Sequence, residues 1–409
     1  MASTIKVTNI DTPDNTGNII VDRPLSGSGA SLTNLPAANL TGTIAGARLP
    51  DPLPAISGAS LTNLPAGGDL RNFIIDGDFT QWPDGTAATT NSSWKSALWF
   101  GRPDIGTVEF SRSTDVPTAA QSGHTSAYSF KVDCTATGSL ASGTKLKLYY
   151  WMSGHDYAHL HRQPFVFSFW VKSYQTGTHT CGFQNSAGSR TYIAEYTVTA
   201  SATWERKTIA VPAESSDTGW LFTEADKGLG VIFGLAVGSA QQTAAGSWTA
   251  GNYNGSSNTQ NITSSTNNYI NIAQLMLTRG TTAPTAFLGE SIGTVLNQIA
   301  YYVKPIYSGE VTHNVNTTMS DMAISHNPPM RVAPSYTHKD TTGTAWEGNA
   351  AGAQVQSSGT GILNPNSTPN GNTRYGTNVF TAGWSGLTGG KAMQINNGTT
   401  LFGILDARH

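Results

Sequence analysis

Charge is scarce in this chain of 409 residues: Lys and Arg number 23, Asp and Glu 25, and charged residues are only 12% of the total. The formal net charge of −2 gives no basic field to gather nucleic acid or an anionic membrane surface. Cysteine occurs twice, at Cys134 and Cys181. A disulfide framework would need more in a chain of this size, and no cysteine spacing resembles a metal site. The two are read as buried free thiols of a protein made in a reducing cytoplasm. Long hydrophobic runs are missing too. The longest, Leu229–Val237, contains Gly230 and Gly234 and is too short to cross a bilayer as a helix. The first residues, MASTIKVTNIDTPDN, have no apolar core of a signal peptide. Catalytic signatures are equally scarce. There is no Gly-x-Ser-x-Gly elbow, His-Glu-x-x-His, P-loop or dinucleotide fingerprint, and acids seldom come in pairs. The expectation is a non-enzymatic protein without a cofactor, without membrane insertion and without a nucleic-acid partner.

What is abundant is Gly (44) and Pro (19), with Thr, Ser and Asn throughout. That composition suits short strands joined by polar turns. The octapeptide Gly-Ala-Ser-Leu-Thr-Asn-Leu-Pro occurs twice, at Gly29–Pro36 and Gly58–Pro65. Between the copies lie small residues with isolated leucines and isoleucines. One such segment cannot bury enough apolar surface to offset the entropy of ordering it, whereas several copies side by side could. Residues 26–69 are therefore read as an oligomeric stalk. Residues 1–25, with weak strand signals at Ile5–Val7 and Asn18–Val21, form a separate N-terminal segment.

At Arg71 the composition changes and strand patterns begin. Lys145–Met152 alternates strictly, with Leu146, Leu148, Tyr150 and Met152 on one face and Lys145, Lys147, Tyr149 and Trp151 on the other. Phe165–Lys172 is apolar on both faces at its start, as a central strand would be, and places Phe167 and Phe169 in the core. Thr191–Ala200, Thr203–Pro212, Leu229–Val237 and Tyr269–Leu277 complete the series, separated by turn residues. Many strands without intervening helices indicate an antiparallel jelly-roll β-sandwich over 70–288. A helix follows within 289–305. Ile292, Val295, Leu296 and Ile299 recur at helical spacing, Ser291 is its N-cap, and Pro305 ends it. A small β domain over 306–409 has strand candidates at Met330–Tyr336, Asn378–Thr381 and Leu401–Leu405.

Few residues offer themselves for chemistry. Asp76 and Asp78 stand in Asn-Phe-Ile-Ile-Asp-Gly-Asp-Phe. They read as a turn, as oxygen ligands of a structural calcium ion, or as an acid pair for catalysis. His159 and His161 share one side of an extended chain. Repeated around a threefold axis they would give six nitrogen ligands, while His155, His159 and His161 also read as a polar loop leading into the strand at Phe165. The most informative candidate is the face of Lys145, Lys147, Tyr149 and Trp151. Aromatic rings stack on sugar faces, and lysines bond hydroxyls or acidic saccharides. The same face also reads as packing under a loop or against a neighbouring subunit. Trp82, Trp94, Trp99 and Trp248 raise the same question.

The string Asn72–Trp82, NFIIDGDFTQW, resembles the Asn-Gly-Asp-Phe-x-x-Trp opening of carbohydrate-binding-module-like jelly rolls in bacteriophage tail fibres and related virion proteins, with Asp76 where that phrase has Asn. Further strings follow in the family's order: Ser168–Ser173, Thr191–Val198, Thr203–Ile209, Gly246–Tyr253, and Ile272–Leu277 with Pro284–Phe287 after it. Ala300–Tyr302 stands at the helix end, Pro329–Pro334 opens the C-terminal domain, and Gly58–Leu64 resembles the stalk phrase. The likeness spans most of residues 15–409 and resides in the ordered series more than in any one string. It implies a homotrimeric subunit of a virion appendage, a tail fibre or spike. Residues 1–25 would join it to other virion structural proteins, and its role would be attachment to host surface glycan. The alternative is a virion decoration or adaptor protein that uses the jelly roll for protein contacts alone. The chain departs from carbohydrate-binding modules at Ala273 and Gln274, where a late calcium-binding acid is often found.

Overall fold

The computed structural model describes residues 71–307 continuously and a set of strands and connections within 311–408. The stalk and N-terminal expectations lie outside the described residues. Twelve strands lie among the described residues 71–280: β1 (Ser93–Trp94), β2 (Trp99–Pro103), β3 (Thr107–Ser113), β4 (Ser129–Ala136), β5 (Lys145–Ser153), β6 (Phe165–Ser173), β7 (Gly177–Asn185), β8 (Arg190–Val198), β9 (Glu205–Val211), β10 (Lys227–Val237), β11 (Trp248–Ala250) and β12 (Tyr269–Arg279). They form two antiparallel sheets. One has the order β1-β2-β5-β10-β7-β8-β11 and the other β3-β4-β12-β6-β9. The chain passes repeatedly between the sheets, as in a jelly roll.

Alternation explains which face each strand buries. Leu146, Leu148, Tyr150 and Met152 of β5 are each at most 1% exposed, facing the other sheet. The six strands anticipated above are present with small boundary shifts. Phe167 and Phe169 are both in the core, where Phe169 meets Phe233 edge-on at 5.1 Å between ring centroids. Cys134 and Cys181 are buried and unpaired. Burial pushes the Cys181 thiol far up, so it behaves as a small apolar side chain.

The helix (Ile292–Ala300) is capped by Ser291, whose side chain accepts from the Thr294 amide. The chain then enters β13 (Val303–Tyr307), which pairs with Leu401–Asp406; that strand also pairs with Ser335–His338. Strands between 311 and 396 build a further antiparallel sheet. The strand expected from Met330 begins only at Ser335. Upstream of it, the Arg331 amide donates to the Tyr301 carbonyl, and its buried guanidinium donates to the carbonyls of Ala225 and Ala407. These bonds draw residues 330–334 out of ladder geometry. No helix among the described residues is long and apolar enough to cross a membrane.

Candidate functional site

The outer face of the seven-stranded sheet is made by the residues that point away from the core. Tyr149 on β5 stands opposite Phe100 on β2, and their rings lie 5.2 Å apart. Trp94 on β1 meets Phe100 edge-on at 5.3 Å. On the other side of β5, Trp151 is paired with Gly230 of β10. A Cβ at Gly230 would lie 2.8 Å from the indole, so glycine lets Trp151 rest on the β10 backbone. Phe100, Tyr149 and Trp151 are all half-buried. Together they make a partly open aromatic platform across two strands, β2 and β5.

The lysines beside it are less open than alternation alone implies. Lys145 is half-buried and donates to Gln241 Oε1 at 3.5 Å. Lys147, expected on the exposed face, is 8% exposed and donates to Asn254 Oδ1 at 2.9 Å. The cause is the long connection after β10. It lays the Asn254 carbonyl on Gly234, where a Cβ would approach it to 2.2 Å. A pattern local to one strand carries no sign of a distant loop that covers it.

Burial, with Lys145 and Arg102 nearby, lowers the Lys147 ammonium to about 8 from the usual 10.5. Between those values the unfolded chain holds this proton more tightly than the fold does. Lys147 therefore makes stability rise as pH increases from about 8 toward 10.5. Urea unfolding on either side of pH 9 should show that rise in the native protein and a smaller one in Lys147→Met. Equal slopes would mean that the ammonium is not held low.

The other candidates are separate. Asp76 is buried with φ +53°, which the local turn requires. Its carboxyl accepts from the Thr80 amide (2.8 Å), the Thr80 hydroxyl (2.7 Å) and the Gln81 amide (2.9 Å). Burial raises it to about 6 despite those bonds. Asp78 Oδ2 meets His124 Nε2 at 3.0 Å. Gln274 is also buried, at a register shift of β12. Its amide nitrogen donates to the Ser122 and Ser126 hydroxyls at 3.0 and 2.9 Å. A calcium ion needs oxygen lone pairs. Here three N–H and O–H donors engage Asp76, His124 engages Asp78 Oδ2 and the Gln274 amide nitrogen is spent on two serines, while the buried Asp78 Oδ1 has no hydrogen-bond partner among the described residues. The bonds from Thr80 and Gln81 make Asp76 the turn residue of the first alternative. A cavity of about 150 Å³ beside them is lined mainly by apolar groups, among them Ile74, Phe287, Leu288 and Val295.

The His159–His161 expectation is corrected. Ser153 caps a short helix (Gly154–Ala158) whose C-cap, His159, is in the αR conformation, so the extended chain that the pairing required is not formed there. His159 faces His155 at 5.7 Å. His161 instead bonds Tyr157 Oη at 3.2 Å and Asp217 at 2.7 Å. No cluster of three His, Cys, Asp or Glu suited to a metal occurs among the described residues. Of the isolated tryptophans, Trp99 is in the core, Trp82 stacks on Phe130, and Trp248 lies edge-on to Trp220. Sequence reasoning missed Phe100 and Arg102. Alternation within Trp99–Pro103, with Trp99 inward, would have pointed to both; that β2 pairs with β5 is not visible locally.

No family model matches the chain, and no curated protein does. Solved structures with some similarity include the enzymatically active domain of a tailspike protein of bacteriophage CBA120, at 12% identity and a TM-score of 0.26. That alignment covers 52% of this chain and 21% of the tailspike chain. A putative sugar binding protein from Bacteroides thetaiotaomicron aligns at 13% identity and TM-score 0.30, over 51% of this chain and all (100%) of that one. A family 11 carbohydrate-binding module of a Clostridium thermocellum cellulase aligns at 9% and 0.24, covering 48% and 96%. These likenesses are too distant to carry function, and the site must be judged by its own geometry.

Proposed function

We propose that the chain is a non-enzymatic subunit of a bacteriophage virion appendage, a tail fibre or spike, whose sandwich recognises a saccharide on the host surface. The observation that carries saccharide recognition is the half-open platform of Phe100, Tyr149 and Trp151 on the outer sheet face. Sugar rings present C–H faces that stack on such surfaces, at about 1 kcal/mol per ring. One contact of that size gives weak binding, and a homotrimer would multiply it by avidity. The appendage role, the trimer, the virion as its location and the contact of residues 1–25 with other virion proteins rest on the repeated octapeptide and the ordered series of strings.

A second reading, a decoration or adaptor protein, is favoured by a different feature. On the helix after the sandwich, Ile292 and Leu296 are 57% and 47% exposed, an apolar stripe suited to a protein partner.

Trp151→Ala separates the readings. Saccharide recognition predicts loss of adsorption to host cells with oligomer mass and melting temperature unchanged. A broken oligomer would instead make the platform a subunit interface. If adsorption, mass and melting all stay unchanged, the platform has no part in attachment.

A further inference from the structure

This inference rests on the saccharide reading of the platform and concerns the class of saccharide. Arg102 on β2 stands directly opposite Lys147 on β5, with Lys145 two residues along the same strand. Like charges directly opposed across two strands are destabilising. Only one carboxylate among the described residues is bonded to this group: Asp104 Oδ1 accepts from Arg102 Nε at 3.1 Å. Lys145 and Lys147 are met by the neutral amide oxygens of Gln241 and Asn254. Amide oxygens satisfy N–H geometry without cancelling charge. Three cations therefore face one carboxylate, in a chain whose net charge is −2.

The excess sits against the aromatic platform. Phe100 precedes Arg102 by two residues on the outward side of β2, and the Lys147 ammonium lies 5.0 Å from the Tyr149 ring centre. The Arg102 side chain is 47% exposed, and its two terminal nitrogens have no hydrogen-bond partner among the described residues. A guanidinium fork suits planar, two-oxygen anions. Burial is the first cause of the low Lys147 value, and the two neighbouring cations add to it.

We propose that the platform takes an acidic saccharide, its ring over Tyr149 and Trp151 and its anionic group on Arg102. Lys145 and Lys147 supply field, and Arg102 supplies the contact. A neutral sugar would leave the opposed cations uncompensated.

The test uses the full chain and three polymers: polygalacturonate (carboxylated), dextran sulfate (sulfated) and unmodified dextran. The expected result is retention of one or both charged polymers and not of dextran. Raising salt from about 0.05 to about 0.5 M should weaken that retention. Arg102→Gln should weaken it about tenfold, as expected for a lost charged hydrogen bond, and Arg102→Lys should keep the preference for acid. Carboxylate and sulfate are told apart by which polymer binds. Dextran bound as tightly as the charged polymers would overturn the acidic class and leave saccharide recognition standing. Failure of all three would overturn both. Charged-polymer binding unchanged in Arg102→Gln would overturn the placement at this site.

Discussion

Replacing Phe169 by alanine should destabilise the sandwich by about 3–5 kcal/mol, the range for truncating a buried aromatic. Phe169 is 1% exposed. Its ring is edge-on to Tyr196 at 5.1 Å and to Phe233 at the same distance, and 5.1 Å from Phe167. It thus joins the inner faces of both sheets, and no single neighbour can move to fill the space it leaves. The loss combines transfer of the ring to water with the cavity that remains. Urea titration followed by tryptophan fluorescence reads it directly. A midpoint unmoved by Phe169→Ala would refute the placement of β6 inside its sheet, between β12 and β9.

That placement was legible in the sequence because it depends on a single strand. Val166 and Ser168 lie on the outer side of β6 and are nonetheless buried. The doubly apolar start of Phe165–Lys172 is what such a strand looks like. The inner face of β5 was legible for the same reason. Features that failed to appear depend on residues far apart. Lys147 owes its burial to Asn254, 107 positions away, and Arg102 meets it only through strand pairing. β7 escaped notice because Gly177, Gly182 and several polar residues break its alternation, although it lies inside the larger sheet. The extended chain on which the His159–His161 pairing depended met a local competitor: Ser153 caps a helix that ends at His159. Around Asp76 and Asp78 the partners are likewise ones that no spacing rule shows, His124 on Asp78 and the serine hydroxyls on Gln274.

The longest-range contact gives the second large effect. Arg408, whose side chain is 1% exposed, lies against Asp84, 324 positions away, and against Asp406. It donates to Asp406 Oδ2 at 2.8 Å and to the Ala97 carbonyl at 3.2 Å. Its guanidinium also covers the Trp94 ring at 4.6 Å. Arg408 therefore ties the segment after the last strand to the first strands of the sandwich. Arg408→Met keeps much of the volume but leaves two largely buried carboxylates without this cation, which should cost about 3–5 kcal/mol. Asp84→Asn in the same chain removes one of those charges. The double variant should then lie closer to the native protein than the sum of the single costs. Urea midpoints of the four proteins measure this coupling. Single effects that add to within about 0.5 kcal/mol would show that Arg408 and Asp84 do not act together.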